Sequence, residues 1–281
     1  MPKAKKLILG GAQIGQEYGL VRNSSFYDGQ GVQVLLREAE QVGFEAIDTA
    51  RTYGRSEEII GRFAWRGEIH SKLDEFSVPK LSLSESLDAL GRNSIDLLYL
   101  CHDAARVSDT SHEYWDSRLT ELRHGADSFG VAIYPEQMDF DLIAFPEIQT
   151  VQIPFNILSP RRVRERVAQW HSAGKKVIAR SVFAQGLLLQ RIPQNTRQDL
   201  TATIDFLHNL AEELALDPAE LALRWCLSSD DIDGIVVGVS EVEELESIAY
   251  WLGNGPLPDD EYSFIEGSLE GHKRHIDLRG F

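Results

Sequence analysis

Cysteine is scarce in this chain of 281 residues, which has only Cys101 and Cys226. Two isolated cysteines argue against a disulfide-stapled fold and indicate reduced, intracellular thiols. Long apolar runs are also missing, since no stretch approaches the roughly 20 residues that a membrane helix needs. The opening residues, MPKAKKLILGGAQIG, are mildly basic, but their apolar run is too short for a signal-peptide core. We therefore expect a cytoplasmic protein without a membrane partner.

Basic side chains are in deficit, with 28 Lys and Arg against 44 Asp and Glu, and the net charge is −16. This balance argues against a basic groove for nucleic acid. The chain is 43% hydrophobic and 26% charged, as is usual for a globular enzyme. Its length suits one α/β barrel, so we expect a single barrel domain over residues 1–281.

Short apolar runs alternate with amphipathic stretches along the whole chain. We interpret residues 44 to 239 as eight strands, each followed by a helix, which indicates a parallel sheet and favours a closed (β/α)8 TIM barrel. An open doubly wound sheet is the rival, but no G-x-G-x-x-G follows an early strand. The segment LILGGAQIG precedes these units and is expected to form an N-terminal hairpin that plugs the barrel floor. Among the predicted strands are residues 44–50, 68–74, 94–103, 129–134, 150–156, 175–183 and 232–239.

Four polar residues fall where predicted strands end, which is where barrel enzymes place their chemistry. Asp48 is near the end of its strand, and Tyr53 is in the loop that follows. Lys72 and His102 close the next two strands. Taken singly, these residues have structural explanations: a helix cap, a surface phenol, a solvated amine and a core histidine. Because they come from consecutive units, we expect them to converge at one mouth of the barrel.

The four side chains make a coherent chemical set. A phenol has a pKa of about 10, too high for easy proton donation at neutral pH. A nearby buried ammonium favours the phenolate and lowers that pKa, and a carboxylate keeps the ammonium charged and in place. An imidazole can orient a substrate oxygen. Such a set donates a proton to an oxygen that is becoming an alkoxide.

The stretches IDTARTYG, SEEIIG, SKLD and DLLYLCHDA together resemble the aldo-keto reductase family, and the likeness continues through VQIPFN, ARSVFAQGLL and IVVGV. The resemblance implies a barrel that binds NADPH or NADH without a Rossmann fold and reduces an aldehyde or ketone to an alcohol. It implies that Tyr53 donates the proton, that Lys72 and Asp48 tune it, and that His102 orients the carbonyl. The nicotinamide would supply the hydride.

The resemblance also implies a cofactor site. The family holds the nicotinamide amide with a Ser-Asn pair and a Gln; here Gln152 is present, but Ala132 and Ile133 replace the pair, and Asn156 is a candidate to compensate. The family usually has an aromatic residue that stacks on the nicotinamide, and this chain has Arg180 at that position. A guanidinium plane can also stack on a ring. The implied cofactor-binding residues are Gly11, Ala12, Asp48, Gln152, Arg180, Ser181, Val182, Phe183, Gln185, Gly186, Gly238, Ser240 and Glu244.

The segment after the last strand bears on cofactor choice. Relatives that bind NADPH carry basic residues there, but this chain has no Lys or Arg from 238 to 249 and has Glu244 where many relatives have Arg. A carboxylate repels a 2′-phosphate and can accept a hydrogen bond from a ribose 2′-hydroxyl. We predict a weakened preference for NADPH and use of NADH. The structural alternative is a solvated acidic helix face.

The tail from 253 to 281 is expected to lie across the barrel mouth. Its basic residues suggest an anionic substrate, such as a phosphorylated or nucleotide-linked sugar; a polar tail without a role is the alternative. Two other functions stay open: a regulatory module that senses nicotinamide cofactor with little turnover, and a Schiff-base enzyme that uses Lys72. A metal site has only His102 and Asp103, without partner ligands at a suitable spacing. The basic tail residues are His272, Lys273, Arg274, His275 and Arg279.

Overall fold

The computed structural model describes residues 5–16, 29–73, 78–101, 112–139, 141–191 and 198–274. Eight parallel strands form a closed barrel in chain order, with the last strand paired to the first. This confirms the predicted (β/α)8 TIM barrel. The strands are β1 Lys6–Gly10, β2 Ala46–Asp48, β3 Glu68–Lys72, β4 Leu97–Cys101, β5 Phe129–Ala132, β6 Ile148–Pro154, β7 Lys176–Arg180 and β8 Gly234–Gly238.

Helices surround the barrel and shield the outer faces of its strands. Among the described residues, no helix is both long and apolar enough to cross a membrane. The α-helices are α1 Ala12–Gly15, α2 Gly29–Val42, α3 Ser56–Phe63, α4 Pro79–Leu90, α5 His112–Leu122, α6 Arg161–Ser172, α7 Gln198–Glu213, α8 Pro218–Ser228, α9 Val242–Asn254 and α10 Asp259–Leu269. Shorter 3-10 helices are Pro135–Gln137, Leu142–Ala144, Ala184–Leu189 and Glu270–His272.

The expectation of an N-terminal hairpin is wrong, because this segment is the first strand of the barrel. β1 pairs in parallel with both β2 and β8. Among the described residues between 44 and 239 the barrel has seven strands, not the eight expected, and β1 completes the set. Two glycines allow the close pairing, since a Cβ on Gly10 would lie 3.1 Å from the Cα of Gly238.

Two kinds of apolar packing stabilise the fold. A large cluster fills the space between the strands and the surrounding helices. Two small clusters are separate from it, because alternate side chains along a strand point to opposite faces and one set lines the barrel interior. They comprise Ile8, Ala46 and Ile178 in one case, and Leu97, Tyr99 and Ala132 in the other. Polar side chains are also buried on three strands, namely Asp48 at the end of β2, His70 and Lys72 at alternate positions of β3, and Thr150 and Gln152 at alternate positions of β6.

Local sequence signals fix the helix ends that border these strands. α8 begins after Asp217, whose side chain accepts a hydrogen bond from the amide of Ala219, and Pro218 occupies its first turn. α4 also begins with a proline, and it is followed by Gly91, which has a φ of +63°. A left-handed residue at this point is easiest for glycine and stops the helix.

Candidate functional site

A buried ion pair lies where β2 and β3 end. Lys72 Nζ is 2.7 Å from Asp48 Oδ1 and 2.6 Å from Asp48 Oδ2, and it also donates to the carbonyl of Thr49 at 3.3 Å. Asp48 is 4% exposed and Lys72 is 6% exposed. Out of water, such a pair is stable only because each charge has the other as its partner. The ammonium is therefore held at one place at the barrel mouth.

The loop after β2 brings Tyr53 to this ammonium. Lys72 Nζ lies 5.4 Å from the centroid of the Tyr53 ring, and Tyr53 itself is partly exposed. Ser56 fixes the loop, since its hydroxyl donates to the carbonyl of Gly11 at 2.8 Å and accepts from the hydroxyl of Thr49 at 2.9 Å. The structure thus brings three of the four predicted catalytic residues together. His102 lies outside the described residues.

Gln152 on β6 joins the same group. Its Nε2 donates to Asp48 Oδ1 at 2.7 Å, whereas its Oε1 is buried and has no hydrogen-bond partner. An ionised carboxylate only accepts hydrogen bonds, so the amide nitrogen must face Asp48 and the oxygen must face away. Gln152 therefore presents an acceptor that a ligand N–H could satisfy.

The loop after β1 packs directly on Asp48. The amide of Gly11 donates to the carbonyl of Asp48 at 2.7 Å, and a Cβ on Gly11 would lie 2.8 Å from that oxygen. Ala12 begins α1 and is buried. These two predicted cofactor residues are thus adjacent to the ion pair.

Arg180 ends β7 and is stacked on a ring of the protein itself. Its guanidinium carbon lies 4.5 Å from the centroid of the Tyr134 ring, and its Nη2 donates to the carbonyl of Ile133 at 3.2 Å. Ala132 and Ile133 are both buried. Ala132 and Ile133 stand in place of the family's Ser-Asn pair. This segment holds Arg180 through the backbone carbonyl of Ile133 and the ring of Tyr134, the residue that follows.

The loop after β7 has an unusual backbone. Ser181, Ala184 and Gln185 have φ values of +57°, +48° and +56°, and Gly186 follows at +90°. Left-handed conformations are unfavourable for residues other than glycine, and such strain is concentrated at ligand sites. The side chain of Asn156, the candidate to compensate for the missing pair, is bonded to this loop, because its Nδ2 donates to the carbonyl of Ser181 at 3.2 Å. Two further predicted cofactor residues of this loop, Val182 and Phe183, are buried and partly buried.

A hydrogen-bonded chain links the loops after β1 and β8. Gln13 Nε2 donates to the hydroxyl of Ser240 at 2.8 Å, and a Cβ on Gly238 would lie 2.3 Å from Gln13 Oε1. Glu244, exposed in the first turn of α9, accepts from the amide of Ser240 at 2.5 Å. Sequence reasoning missed Gln13, because nothing in the sequence marks a contact between the first and last loops.

The described part of the tail packs on the helical shell. Glu266 of α10 accepts from Trp225 Nε1 at 2.8 Å and from Lys273 Nζ at 2.5 Å, and it pairs with Arg164 of α6. The ring of His272 stacks on Phe206 with centroids 4.1 Å apart, and the amide of Arg274 donates to the carbonyl of Leu158. These contacts weaken the hypothesis that the tail residues bind an anionic substrate. His275 and Arg279 lie outside the described residues.

Tyr99 on β4 is a second residue that sequence reasoning missed. Lys72 Nζ lies 5.3 Å from the centroid of its ring. Burial raises the pKa of the Tyr99 hydroxyl well above its usual value, and the charge of Asp48 adds to this effect. The hydroxyl is therefore neutral at physiological pH.

Over the described residues, no group of three or more His, Cys, Asp or Glu side chains is arranged to hold a metal ion.

Comparison with known proteins gives the family. The sequence profile of the Aldo/keto reductase family matches residues 6–270. This chain belongs to the aldo/keto reductase family. Membership indicates an oxidoreductase, and the family typically uses nicotinamide cofactors.

Individual relatives are distant. An aldo-keto reductase of Pseudocercospora fijiensis is 26% identical over 80% of this chain and 93% of its own length. The L-glyceraldehyde 3-phosphate reductase of Escherichia coli K12 is 23% identical over 83% of this chain and 82% of its own length. Among solved structures, the holo form of an aldo-keto reductase from Bacillus halodurans superposes with a TM-score of 0.72 at 18% identity, covering 98% of this chain and 94% of that chain. At this identity the structural likeness shows the fold alone, while the reductase relatives support carbonyl reduction.

Proposed function

We propose that this protein is an NAD(P)H-dependent oxidoreductase, a single barrel domain over residues 1–281, that reduces an aldehyde or ketone to an alcohol with Tyr53 as the proton donor. The observation that carries the proposal is the buried Lys72–Asp48 pair, with its ammonium 5.4 Å from the Tyr53 ring centroid. A phenol beside an ammonium gives up its proton more readily than a phenol in water. A substrate oxygen that gains negative charge during reduction is the natural acceptor.

Each residue of the pair has a separate task in this proposal. Lys72 supplies positive charge next to the phenol of Tyr53. Asp48 neutralises the buried ammonium and fixes it with two hydrogen bonds of 2.6 and 2.7 Å. His102 would orient the carbonyl, as the family resemblance implies. Tyr53 is partly exposed, so a substrate in the mouth can reach it.

The chain's own residues fit a nicotinamide cofactor. Gln152 Oε1 is buried without a partner and is suited to accept from a carboxamide N–H. The guanidinium of Arg180 stacks on the Tyr134 ring, which fixes its plane. A planar guanidinium is suited to stack on a ring of a ligand as well. When bound, the reduced cofactor supplies a hydride to the substrate carbon. Gly11, Ala12, Val182, Phe183 and Gly238 are proposed to line the cofactor through backbone and apolar contacts.

The left-handed loop after β7 is proposed to follow the pyrophosphate, with Ser181, Gln185 and Gly186 as its contact residues. Glu244 is proposed to disfavour NADPH, because its carboxylate is exposed where a 2′-phosphate would bring like charge. Its hydrogen bond to the amide of Ser240 fixes the carboxylate at that place. We therefore propose NADH as the better ligand of the two.

Separate titrations of the purified protein with NADPH and with NADH test the proposal. The fluorescence of the protein's five tryptophans reports binding. Reduction of an aldehyde panel that includes glyceraldehyde and glyceraldehyde 3-phosphate, the compound named for the Escherichia coli relative, then tests turnover. We expect binding of both cofactors, tighter for NADH, and a loss of turnover without a loss of binding in Tyr53→Phe. Failure of both cofactors to bind would overturn the proposal.

The same experiment tests the second function that the sequence left open. Ala132 and Ile133 replace two side chains that hold the nicotinamide amide in relatives, which is compatible with a cofactor-sensing module. Tight binding with no turnover of any carbonyl, in the parent and in Tyr53→Phe alike, would favour this module over the reductase.

A further inference from the structure

Tyr99 contacts the same ammonium as the proposed proton donor. In the parallel pairing of β3 and β4, Lys72 is registered with Tyr99. Lys72 Nζ lies 5.3 Å from the centroid of the Tyr99 ring and 5.4 Å from that of the Tyr53 ring. An ammonium within about 6 Å of a ring centroid is attracted by the electron-rich face of the ring. The Lys72 ammonium thus has the rings of Tyr53 and Tyr99 as neighbours besides the carboxylate of Asp48.

The Tyr99 ring is rigidly placed. Tyr99 is completely buried, and Gly130 of β5 leaves room for the ring, since a Cβ on Gly130 would lie 2.8 Å from its Cδ1. The ring of His70 packs edge-on against it, with centroids 6.1 Å apart and planes at 77°. His70 in turn lies 3.2 Å from Glu68 Oε2 through its Nε2. The ring therefore has neighbours that fix both its place and its orientation.

The hydroxyl of Tyr99 does not explain why a tyrosine occurs here. It is buried and makes no hydrogen bond; Gln152 lies beside it, but the pair falls short of hydrogen-bond geometry. A buried hydroxyl without a partner is unfavourable for stability. The charged and titratable groups around the ring are Asp48 on β2, His70, Lys72 and Glu68 on β3, and Tyr53 in the loop after β2.

We propose that Tyr99 is a positioning residue whose ring holds the Lys72 ammonium against Asp48 and beside Tyr53. This inference rests on the proposed role of Tyr53 as proton donor. With an aliphatic residue at 99, the ammonium loses one attractive neighbour and gains room to move away from Tyr53. Tyr53 then ionises at higher pH, because less positive charge stabilises its phenolate.

The test measures the ionisation of Tyr53 directly. Tyrosinate absorbance near 295 nm is titrated for each protein with and without Tyr53→Phe, and the difference isolates Tyr53. Tyr99→Leu and Tyr99→Phe form a matched pair, because both remove the phenol of Tyr99 and only one removes the ring. We expect the midpoint to rise by about 0.5 to 1 pH unit in Tyr99→Leu and to stay at its parent value in Tyr99→Phe. Circular dichroism follows the fold across the pH range.

Equal midpoints in Tyr99→Leu and Tyr99→Phe would overturn the inference. If Tyr99→Leu does not fold, Tyr99→Met replaces it with a longer aliphatic side chain, and the same comparison decides. The titration needs neither cofactor nor turnover. Failure of this inference would show as equal midpoints, whereas failure of the proposed function would show as absent carbonyl reduction in the parent, so the two can be distinguished. In an active parent, we expect Tyr99→Leu to lower kcat several-fold at neutral pH with KM unchanged.

Discussion

Gly15 lies against the backbone of Tyr53 so closely that a Cβ on Gly15 would be 2.0 Å from the Tyr53 carbonyl oxygen. The same Cβ would be 2.3 Å from the amide nitrogen of Ser56. Both neighbours are backbone atoms, which cannot rotate away as a flexible side chain can. The end of α1 therefore sets how deeply the Tyr53 loop is seated at the barrel mouth.

Gly15→Ala is expected to push this loop away from the ion pair. The added methyl group should lower the free energy of unfolding by about 3 kcal/mol, at the upper end of overpacking effects. It should also lower kcat for carbonyl reduction more than tenfold, because a loop shift of about 1 Å separates Tyr53 from Lys72. Urea unfolding and steady-state kinetics measure the two effects.

Gly267→Ala is the matched control for that substitution. Gly267 lies within α10, and a Cβ there would meet no atom within 4 Å. Alanine in a helix is more favourable than glycine by about 0.5 to 1 kcal/mol, so this variant should be slightly more stable and fully active. A Gly15→Ala variant as stable and active as the control would contradict the proposed seating of the loop.

Lys72→Met is expected to be strongly destabilising, because it leaves the buried carboxylate of Asp48 without its countercharge. Removing one partner of a buried pair costs about 3 to 5 kcal/mol. The double variant Asp48→Asn with Lys72→Met should regain much of that stability, since no charge is then buried alone. A double-mutant cycle by urea denaturation gives the coupling of the two side chains. Stability costs of the two single variants, Lys72→Met and Asp48→Asn, that simply add in the double variant would show that the pair is not coupled. Activity should be absent in both single variants and in the double variant.

Glu244→Arg is expected to raise the affinity for NADPH relative to NADH. A charge-assisted contact to the 2′-phosphate replaces like-charge repulsion, which corresponds to roughly tenfold or more in the ratio of the two Kd values. Glu243→Arg is the control, since Glu243 is exposed in the same turn but the amide of Ser240 donates to Glu244 instead. The fluorescence titrations with both cofactors measure the ratio. A shift of equal size in both variants would reflect net charge and not a specific site.

Glu68 gives the protein a predictable weakness toward acid. The hydrogen bond with His70, and then that with Lys6, lower the pKa of Glu68 from 4.5 to about 2 against the opposing effect of burial. The unfolded chain therefore binds this proton at higher pH than the folded chain does. The contribution of Glu68 to stability is fully present above pH 4.5 and is lost as the pH falls toward 2.

Unfolding of the parent and of Glu68→Gln, compared at a series of pH values, checks this expectation. The difference in free energy of unfolding between the two proteins should be constant above pH 4.5 and should shrink below it. A difference that does not change with pH would contradict it.

Much of the fold could be read from the sequence, because strands buried on both faces are continuous apolar runs, such as LLYLC in β4. β1 was misread because the run KLILG is followed by glycine, which is also typical of a turn. The parallel pairing of β1 with β2 and with β8 distinguishes the two interpretations, and the contact of Gly10 with Gly238 joins residues more than two hundred positions apart. Sequence periodicity carries no information on such distant pairing.

The candidate site was readable where chemistry and position coincide in one short stretch, as for Asp48 and Tyr53. It was not readable where a residue acts through its neighbour across strands. The contact of Tyr99 with Lys72 depends on the register of β3 and β4, and the stacking of Arg180 on Tyr134 depends on two loops meeting. Arg180 was predicted from the resemblance alone, without the ring that supports it.

The pairing of β1 with β8 has a consequence for how this protein is made. A ribosome releases β1 before its partner β8, which follows only after more than two hundred further residues have been synthesised. Until then, one edge of β1 keeps unpaired backbone groups that could pair with another chain. Contacts between such distant parts of a chain also slow folding. Lys6, with its charge at the start of this strand, is well placed to discourage pairing with the wrong chain during that interval.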